Sequence, residues 1–443
     1  MRARPALVIL VILVVALGLP ACQTAPTGSR AVAETKPGGT SWWRDWNDPA
    51  LTRDIAAAFA ASPGLQMVAA KIARADALVA DAEGAMKPSV NLGFNYLTGR
   101  QRNIDFGPFD LPPWQSGAFL SWEADLSGKL RAARNLARES RAATVQDLEL
   151  ARLVLGTRLA GLRLQLYRLN AEVGIVAESL QAARRTLEFL KERRAAGIVA
   201  DPVVDQQKAA LQSLARQRLE LERKRDLTLV QLRTLRGGSA PGDPGKARFP
   251  RPERWQSRPL DEVLQDHPRL KAAAARVRSA FQLQRSARLN LLPSFRIEAL
   301  ATGRQTSLAD RFRVWSGQIG PSLDLPVYDP ARLAQVKLRQ AEAKMGAAQY
   351  REAVLEVLED LDGARINLAS RQSQLAAVRQ ESEARKRARD RAQERLEKGV
   401  ISEIDFLELE QKWLESRQMV ERLQQGVLMA QLEVVKASGG GRP

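Results

Sequence analysis

The sequence is written twice, and this constrains the fold more than any single motif. Residues 62–90 align without a gap onto 267–295. Ser62-Pro63-Gly64-Leu65 matches His267-Pro268-Arg269-Leu270 at one end, and Lys87-Pro88-Ser89-Val90 matches Leu292-Pro293-Ser294-Phe295 at the other. Further on, 192–197 matches 394–399, and Leu235-Arg236-Gly237-Gly238 matches Ala437-Ser438-Gly439-Gly440. Self-similarity on this scale means that one supersecondary unit is built twice. The copies cover 51–238 and 258–440. The Pro-, Gly- and Arg-rich stretch 239–257 between them reads as a linker.

Each copy predicts the order helix, strand, strand, very long helix, tight turn, helix. Val90, Leu92, Phe94 and Tyr96 alternate with Asn91, Gly93 and Asn95. Ala118, Leu120, Trp122, Ala124 and Leu126 alternate with Phe119, Ser121, Glu123 and Asp125. The second copy repeats this with Phe295, Ile297, Ala299 and Ala301, then with Trp315, Gly317, Ile319, Leu323 and Leu325. A period of two over about ten residues gives a strand with one apolar and one polar face, the length that crosses a bilayer in a barrel. A half-buried soluble hairpin carries the same pattern.

The helices are marked by a heptad seam. Leu148, Leu155, Leu162, Leu169, Val176, Ala183 and Leu190 recur every seven residues, with Leu159, Leu166, Val173, Leu180 and Leu187 as the partner set. Such a seam predicts a coiled coil. Proline is absent from Lys129 to Ala200, and about 68 residues at 1.5 Å each make a rod of roughly 100 Å. Copy two keeps Val354, Leu361, Leu368 and Leu375, but its partner register meets Arg365 and Gln372. Gly197 and Gly399 sit where C-cap glycines turn each rod back. Four lipid-facing strands cannot close a barrel, for which about eight is the minimum. The pattern therefore asks for a ring of identical chains.

The N-terminus reads as an address. Arg2 and Arg4 precede an unbroken apolar run from Ala6 to Leu19, too short to span well but suited to a signal core, so 1–21 is a signal peptide. Leu19-Pro20-Ala21-Cys22 resembles the lipoprotein cleavage box, which implies that Cys22 becomes the lipidated first residue and that 22–50 is a lipidated N-terminal segment. In that pattern Gln23 after the cysteine favours the outer membrane. An ordinary signal with an incidental cysteine is the other reading. Residues 23–41 look like a flexible tether.

Composition removes several function classes. The chain holds one cysteine and one histidine, which excludes an intrachain disulfide, a Cys cage and a His-rich metal site. The formal charge of +18 invites nucleic acid. However, the excess is Arg interleaved with Glu, as in 379–398, the pattern of a solvated coiled-coil face, and aromatics are only 5%. No phosphate loop, nucleophile elbow or metal cluster points to an enzyme.

Several segments resemble the TolC-like family of outer-membrane efflux proteins, in its lipoprotein (NodT-like) branch. These are Trp42-Trp43-Arg44-Asp45-Trp46-Asn47-Asp48-Pro49-Ala50-Leu51, Leu291-Leu292-Pro293-Ser294-Phe295, Asp324-Leu325-Pro326-Val327-Tyr328-Asp329-Pro330, and the stretch Arg395 to Gln411. The resemblance covers almost all of the mature chain. It implies a mainly α fold with a small β part: long antiparallel helices plus four transmembrane strands per chain. A homotrimer would share a 12-stranded barrel and a helical periplasmic tunnel. It further implies a passive, gated exit duct of a tripartite efflux or type I secretion system, docked on a periplasmic adaptor and an inner-membrane pump. No cofactor is implied beyond the lipid on Cys22. A structural periplasmic coiled-coil lipoprotein is the rival; it explains the rods but not the doubled hairpins.

The resemblance places Asp405 and Glu408 at the periplasmic tip, facing the lumen as a gate, where a ring of like charges attracts cations. Two solvated surface acids are the plainer alternative. Copy one has Val203 at the matching position, with Asp205 two residues later. Gly197 and Gly399 mark the tip turns, close to where an adaptor docks. His267 reads as a local helix-start residue, and Trp42, Trp43 and Trp46 as packing of the N-terminal segment. Trp122 and Trp315 suit interface anchoring. Arg100, Arg102, Arg304 and Arg311, in loops 99–114 and 303–312, are placed to meet anionic outer-membrane lipid.

Overall fold

The structure, a computed structural model, describes residues 42–96, 100–103, 107–110, 113–240, 249–250, 259–305 and 314–440. Cys22, the signal segment, most of the linker, Arg311 and the side chains of Arg100 and Arg102 lie outside the described residues. A short 3-10 turn, Trp42–Trp46, leads into α1 (Pro49–Ala61) and α2 (Pro63–Gly84). Then come β1 (Ser89–Tyr96), β2 (Arg100–Asn103), β3 (Gly107–Asp110), β4 (Trp114–Ala124), α3 (Lys129–Ala195) and α4 (Asp201–Leu235). Copy two runs α5 (Leu260–Asp266), α6 (Pro268–Leu289), β5 (Ser294–Gln305), β6 (Val314–Asp324), α7 (Pro330–Glu397) and α8 (Glu403–Ala437).

Helix starts are set by short polar caps followed by proline, whose missing N–H costs nothing in a first turn. The Asp48 carboxylate accepts from the Ala50 and Leu51 amides at 2.9 and 3.0 Å. Ser62 caps α2, the His267 imidazole caps α6 through the Arg269 amide at 3.1 Å, and Asp329 caps α7. The long helices all stop the same way. Gly197, Gly237, Gly399 and Gly439 take φ of 74°, 69°, 70° and 77°. Each donates to a carbonyl three residues back, while the next residue donates five back, the Schellman pattern. Positive φ suits glycine because it has no Cβ to clash.

The two hairpins form one sheet in the order β1-β4-β5-β6. Register puts the predicted apolar residues in shared rows: Val90, Leu120, Ala299 and Ile319 in one, and Leu92, Ala118, Ala301 and Gly317 in the next. One face is therefore apolar across all four strands. On it, Phe94, Trp315 and Ile319 are more than two-thirds exposed in the single chain. Trp122 donates its indole N–H to the Met86 carbonyl at 3.0 Å, at the base of the sheet. Copy one differs from the simple repeat: β2 and β3 form a second small hairpin where a plain loop was expected.

The helices fall into two further layers. Next to the sheet, α2, α3, α6 and α7 stand in that order; beyond them the order is α4, α3, α8, α7. The seam of α3 is buried at Leu148, Leu159, Leu166, Leu169, Val176, Leu180, Ala183 and Leu190. It is not a two-stranded coiled coil throughout, because α3 contacts α2 and α6 as well as α4 and α8. No single helix among the described residues is long and apolar enough to cross a membrane.

The largest core lies where the layers meet. Trp42, Trp46, Leu51, Ile55 and Ala58 pack on Leu159, Leu164 and Leu166 of α3, Leu232 of α4 and Val435 of α8. Each fully buried Leu or Ile there contributes about 1.5–3 kcal/mol, so the N-terminal turn is part of the body of the protein. A buried polar network threads this core. Arg163 donates to Asp54 at 2.7 Å and to the Tyr167 hydroxyl at 3.2 Å. Tyr167 donates to Asp48 at 2.6 Å, and Arg236 pairs with Asp54 at 3.1 Å. Burial, followed by the bond to Asp48, pushes the Tyr167 phenol up to about 12.

Candidate functional site

The far end of the helices is a double tip. Phe406 and Leu407 of α8 are buried beside Ala182 of α3 and Ala392 of α7, and Arg185 pairs with Glu410 at 2.8 Å. These contacts join α3 to α7 and α8 below the Gly197 and Gly399 turns. No atom lies within 4 Å of a Cβ built on either glycine, so both turns face open space.

The predicted acids sit on the side of α8 away from that small core. Asp405 and Glu408 are both exposed, one turn apart. Asp405 also has a structural task that the sequence reading missed. Its carboxylate accepts from the Ser402 amide at 3.3 Å and from the Ser402 hydroxyl at 2.7 Å, while the Ser402 hydroxyl accepts from the Asp405 amide at 3.2 Å. This is a capping box, and its Ser-x-x-acid spacing was visible in the sequence. Glu408 makes no hydrogen bond or ion pair among the described residues. At the copy-one tip the charges are paired instead: Asp201 with Arg194, and Asp205 with Lys208 at 2.9 Å. The hydrogen bond from Lys208 holds the Asp205 carboxyl below the usual carboxylate range. Ala200, at the start of α4, provides no side-chain cap.

The other sequence-picked residues are placed as follows. Trp42 and Trp46 are buried in the main core, with Trp43 packed against it. His267 is buried at the α5–α6 junction. Burial, and then the nearby Arg269 charge, push its pKa down to about 4 against the raising effects of the Lys436 backbone and Asp360. Arg304 reaches the Gln115 side chain at 3.3 Å.

The sheet's other face is polar. It carries Asn91, Gln115, Ser121, Glu123, Arg296, Glu298, Thr302 and Gln318 in register. The sheet, apolar on one side and polar on the other, is continued by rods about 100 Å long. The family described as outer membrane efflux protein matches this chain at residues 55–238 and 260–440.

The chain belongs to the outer membrane efflux protein family. This efflux protein is 27% identical over 436 residues to the pyoverdine export outer membrane protein OpmQ of Pseudomonas putida, covering 95% of this chain and 92% of that one. It is 25% identical over 456 residues to the putative multidrug resistance outer membrane protein MdtQ of Escherichia coli, with the same coverages. Among solved structures it shares the fold of the outer-membrane channel OprN, with a TM-score of 0.81, 21% identity and coverage of 96% and 99%. VceC of Vibrio cholerae matches with a TM-score of 0.78, 23% identity and coverage of 91% and 99%. The chain is thus an outer-membrane efflux channel component with a periplasmic extension, and not an enzyme. Family membership decides against the scaffold reading.

Proposed function

We propose that three copies of this chain close into one exit duct, a shared barrel in the outer membrane continued by a helical tunnel into the periplasm. The observation that carries this reading is an open row that recurs in all three layers. The rows β1-β4-β5-β6, α2-α3-α6-α7 and α4-α3-α8-α7 run in the same direction and end at the same two sides of the chain. An uncovered strand edge inside lipid leaves backbone groups unpaired at several kcal/mol each. Along the helical layers, Leu219, Leu227 and Val230 of α4 and Leu355 and Ile366 of α7 are exposed. A copy on each side covers edges and exposed apolar side chains together. Two copies would give about eight strands, whose interior side chains fill it; three give the smallest ring with a water-filled lumen.

In this assembly the tips carrying Gly197 and Gly399 dock on a periplasmic adaptor, which links the duct to an inner-membrane pump that supplies the energy. Asp405 and Glu408 of the three copies ring the tunnel mouth and favour cations. Cys22 carries the acyl chains that hold the N-terminal segment to the membrane; each buried CH₂ contributes about 0.8 kcal/mol. The relatives' roles in pyoverdine export and multidrug resistance support small organic molecules as cargo.

The test is purification from outer membrane in detergent, mass by light scattering, and conductance in planar bilayers. Three chains per particle with a cation-preferring pore is the expected result, and a non-conducting monomer would refute the duct. In the variant Asp405→Gln with Glu408→Gln, which keeps an N3 side chain able to cap Ser402, cation preference falls. Unchanged selectivity would retire the acidic ring.

A further inference from the structure

The polar face of the sheet contains an exception to its own pattern. Phe119 on β4 stands directly opposite Leu300 on β5, in the row that also holds Asn91 and Gln318. Phe119 is 38% exposed in the single chain, and no row of this face among the described residues pairs two other large apolar side chains. One row nearer the helices, Glu298 stands opposite Ser121 on one side and Gly320 on the other.

The acids of this face are not equivalent. Glu123 is neutralised by Lys129 at 2.6 Å and by Arg296 at 3.4 Å, and Asp324 pairs with Arg332 at 3.4 Å. Glu298, half-buried, makes no ion pair or hydrogen bond among the described residues. It lies diagonally from Phe119, a separation of about 7–8 Å between backbones across a ladder. The wall around the pair is bare. A Cβ built on Gly93 or Gly320 would meet nothing within 4 Å.

We propose that Glu298, Phe119 and Leu300 form a contact site for apolar organic cations on the lumen wall of the barrel, one per chain. This rests on the duct reading above, which turns the polar face inward. A carboxylate with no direct ion-pair partner among the described residues supplies charge complementarity. The ring supplies a quadrupole that attracts a cation over its face, Leu300 gives apolar area, and the glycines leave room for a bulky substituent. A small hydrated cation gains only the charge; an apolar anion gains only the surface and is repelled. The site is a stepping place on the wall and binds weakly, as passage requires.

The experiment uses the full-length assembly in planar bilayers with tetraphenylphosphonium as probe. Tetramethylammonium and tetraphenylborate serve as the small-cation and apolar-anion controls. Tetraphenylphosphonium is expected to produce brief current blocks that neither control produces. Glu298→Gln, which keeps the shape of the side chain, and Phe119→Ala are each expected to shorten those blocks about two- to fivefold. Phe119→Tyr, which keeps the ring, should leave them unchanged and guards against a poorly inserted alanine variant. Blocks of equal length in wild type and Glu298→Gln, or equal blocks from tetraphenylborate, would overturn the site while the conductance upheld the duct. A wild-type protein that conducts no current would overturn both.

Discussion

The junctions that end the two copies have the same backbone and opposite chemistry. In copy one the C-terminal end of α4 is held by charge. Arg236 pairs with the buried Asp54, which Arg163 also grips, and a Cβ on Gly237 would collide with that of Ala61. In copy two the end of α8 is held without charge. Gly439 packs against Pro268 and His267, and a neutral imidazole caps α6. Both junctions solve one problem: bringing a helix end against the start of the helix that leads to a strand. Duplication preserved the geometry, and the bonding diverged, because copy one alone also anchors the N-terminal segment through Asp48 and Tyr167.

The largest effect should come from breaking the charged junction. Arg163→Met leaves Asp54 and Asp48 buried without their shared partner. Removing one side of a buried pair costs about 3–5 kcal/mol. Denaturant unfolding in detergent, followed by tryptophan emission, should show this loss together with early release of Trp42 and Trp46. A midpoint equal to wild type would mean that Arg236 alone suffices. The double variant Arg163→Met with Asp54→Asn, which removes the buried Asp54 charge and keeps an acceptor for Arg236, should recover part of the stability.

The uncharged junction should announce itself through pH. His267 titrates near 6.5 when exposed and at about 4 in the fold, so the unfolded chain takes up a proton that the native chain refuses. The contribution is therefore complete above about pH 6.5, declines as pH falls, and is exhausted below about pH 4. It amounts to no more than about 3 kcal/mol. The measurement is the unfolding midpoint of wild type and His267→Asn between pH 4 and 7. Asparagine can cap the helix but does not titrate, so its profile should be flatter. Parallel profiles would show that other groups set the acid sensitivity.

Much of this was legible because period and turn chemistry are local. The alternation through Val90, Leu120, Ala299 and Ile319 fixed four strands and their common face, and Gly197 and Gly399 marked both tips. What was hidden depends on distance along the chain. Asp54 and Arg163 are separated by 109 residues, and Arg163 in a helix rich in arginine carries no local sign that it is buried. The seam read from the sequence was real at Leu159 and Leu166, but a heptad names a buried stripe without naming its partners. That is how α3 came to serve α1, α2, α4, α6 and α8 rather than one partner. The hairpin of β2 and β3 escaped because its strands are short, lack alternation, and hold Pro108 inside one of them, a residue that ordinarily demotes a strand.

The smallest expected effect sharpens the comparison at the tips. There copy two begins α8 with a complete capping box, whereas copy one begins α4 at Ala200, extended at φ −81° and ψ 151° but with no side-chain cap. That backbone is already the one a capping serine adopts. Ala200→Ser should therefore steady the first turn of α4, and Ser402→Ala should loosen that of α8, each by about 0.5–1 kcal/mol. Hydrogen exchange of the amides at 203–205 and 404–407 reads each tip separately: slower for Ala200→Ser in the first segment, faster for Ser402→Ala in the second. If Ala200→Ser leaves exchange at 203–205 untouched, then the Arg194–Asp201 and Lys208–Asp205 pairs already supply what the cap would add. Copy one would then have replaced a hydrogen-bonded cap with charge, the same exchange it made at the other end of α4.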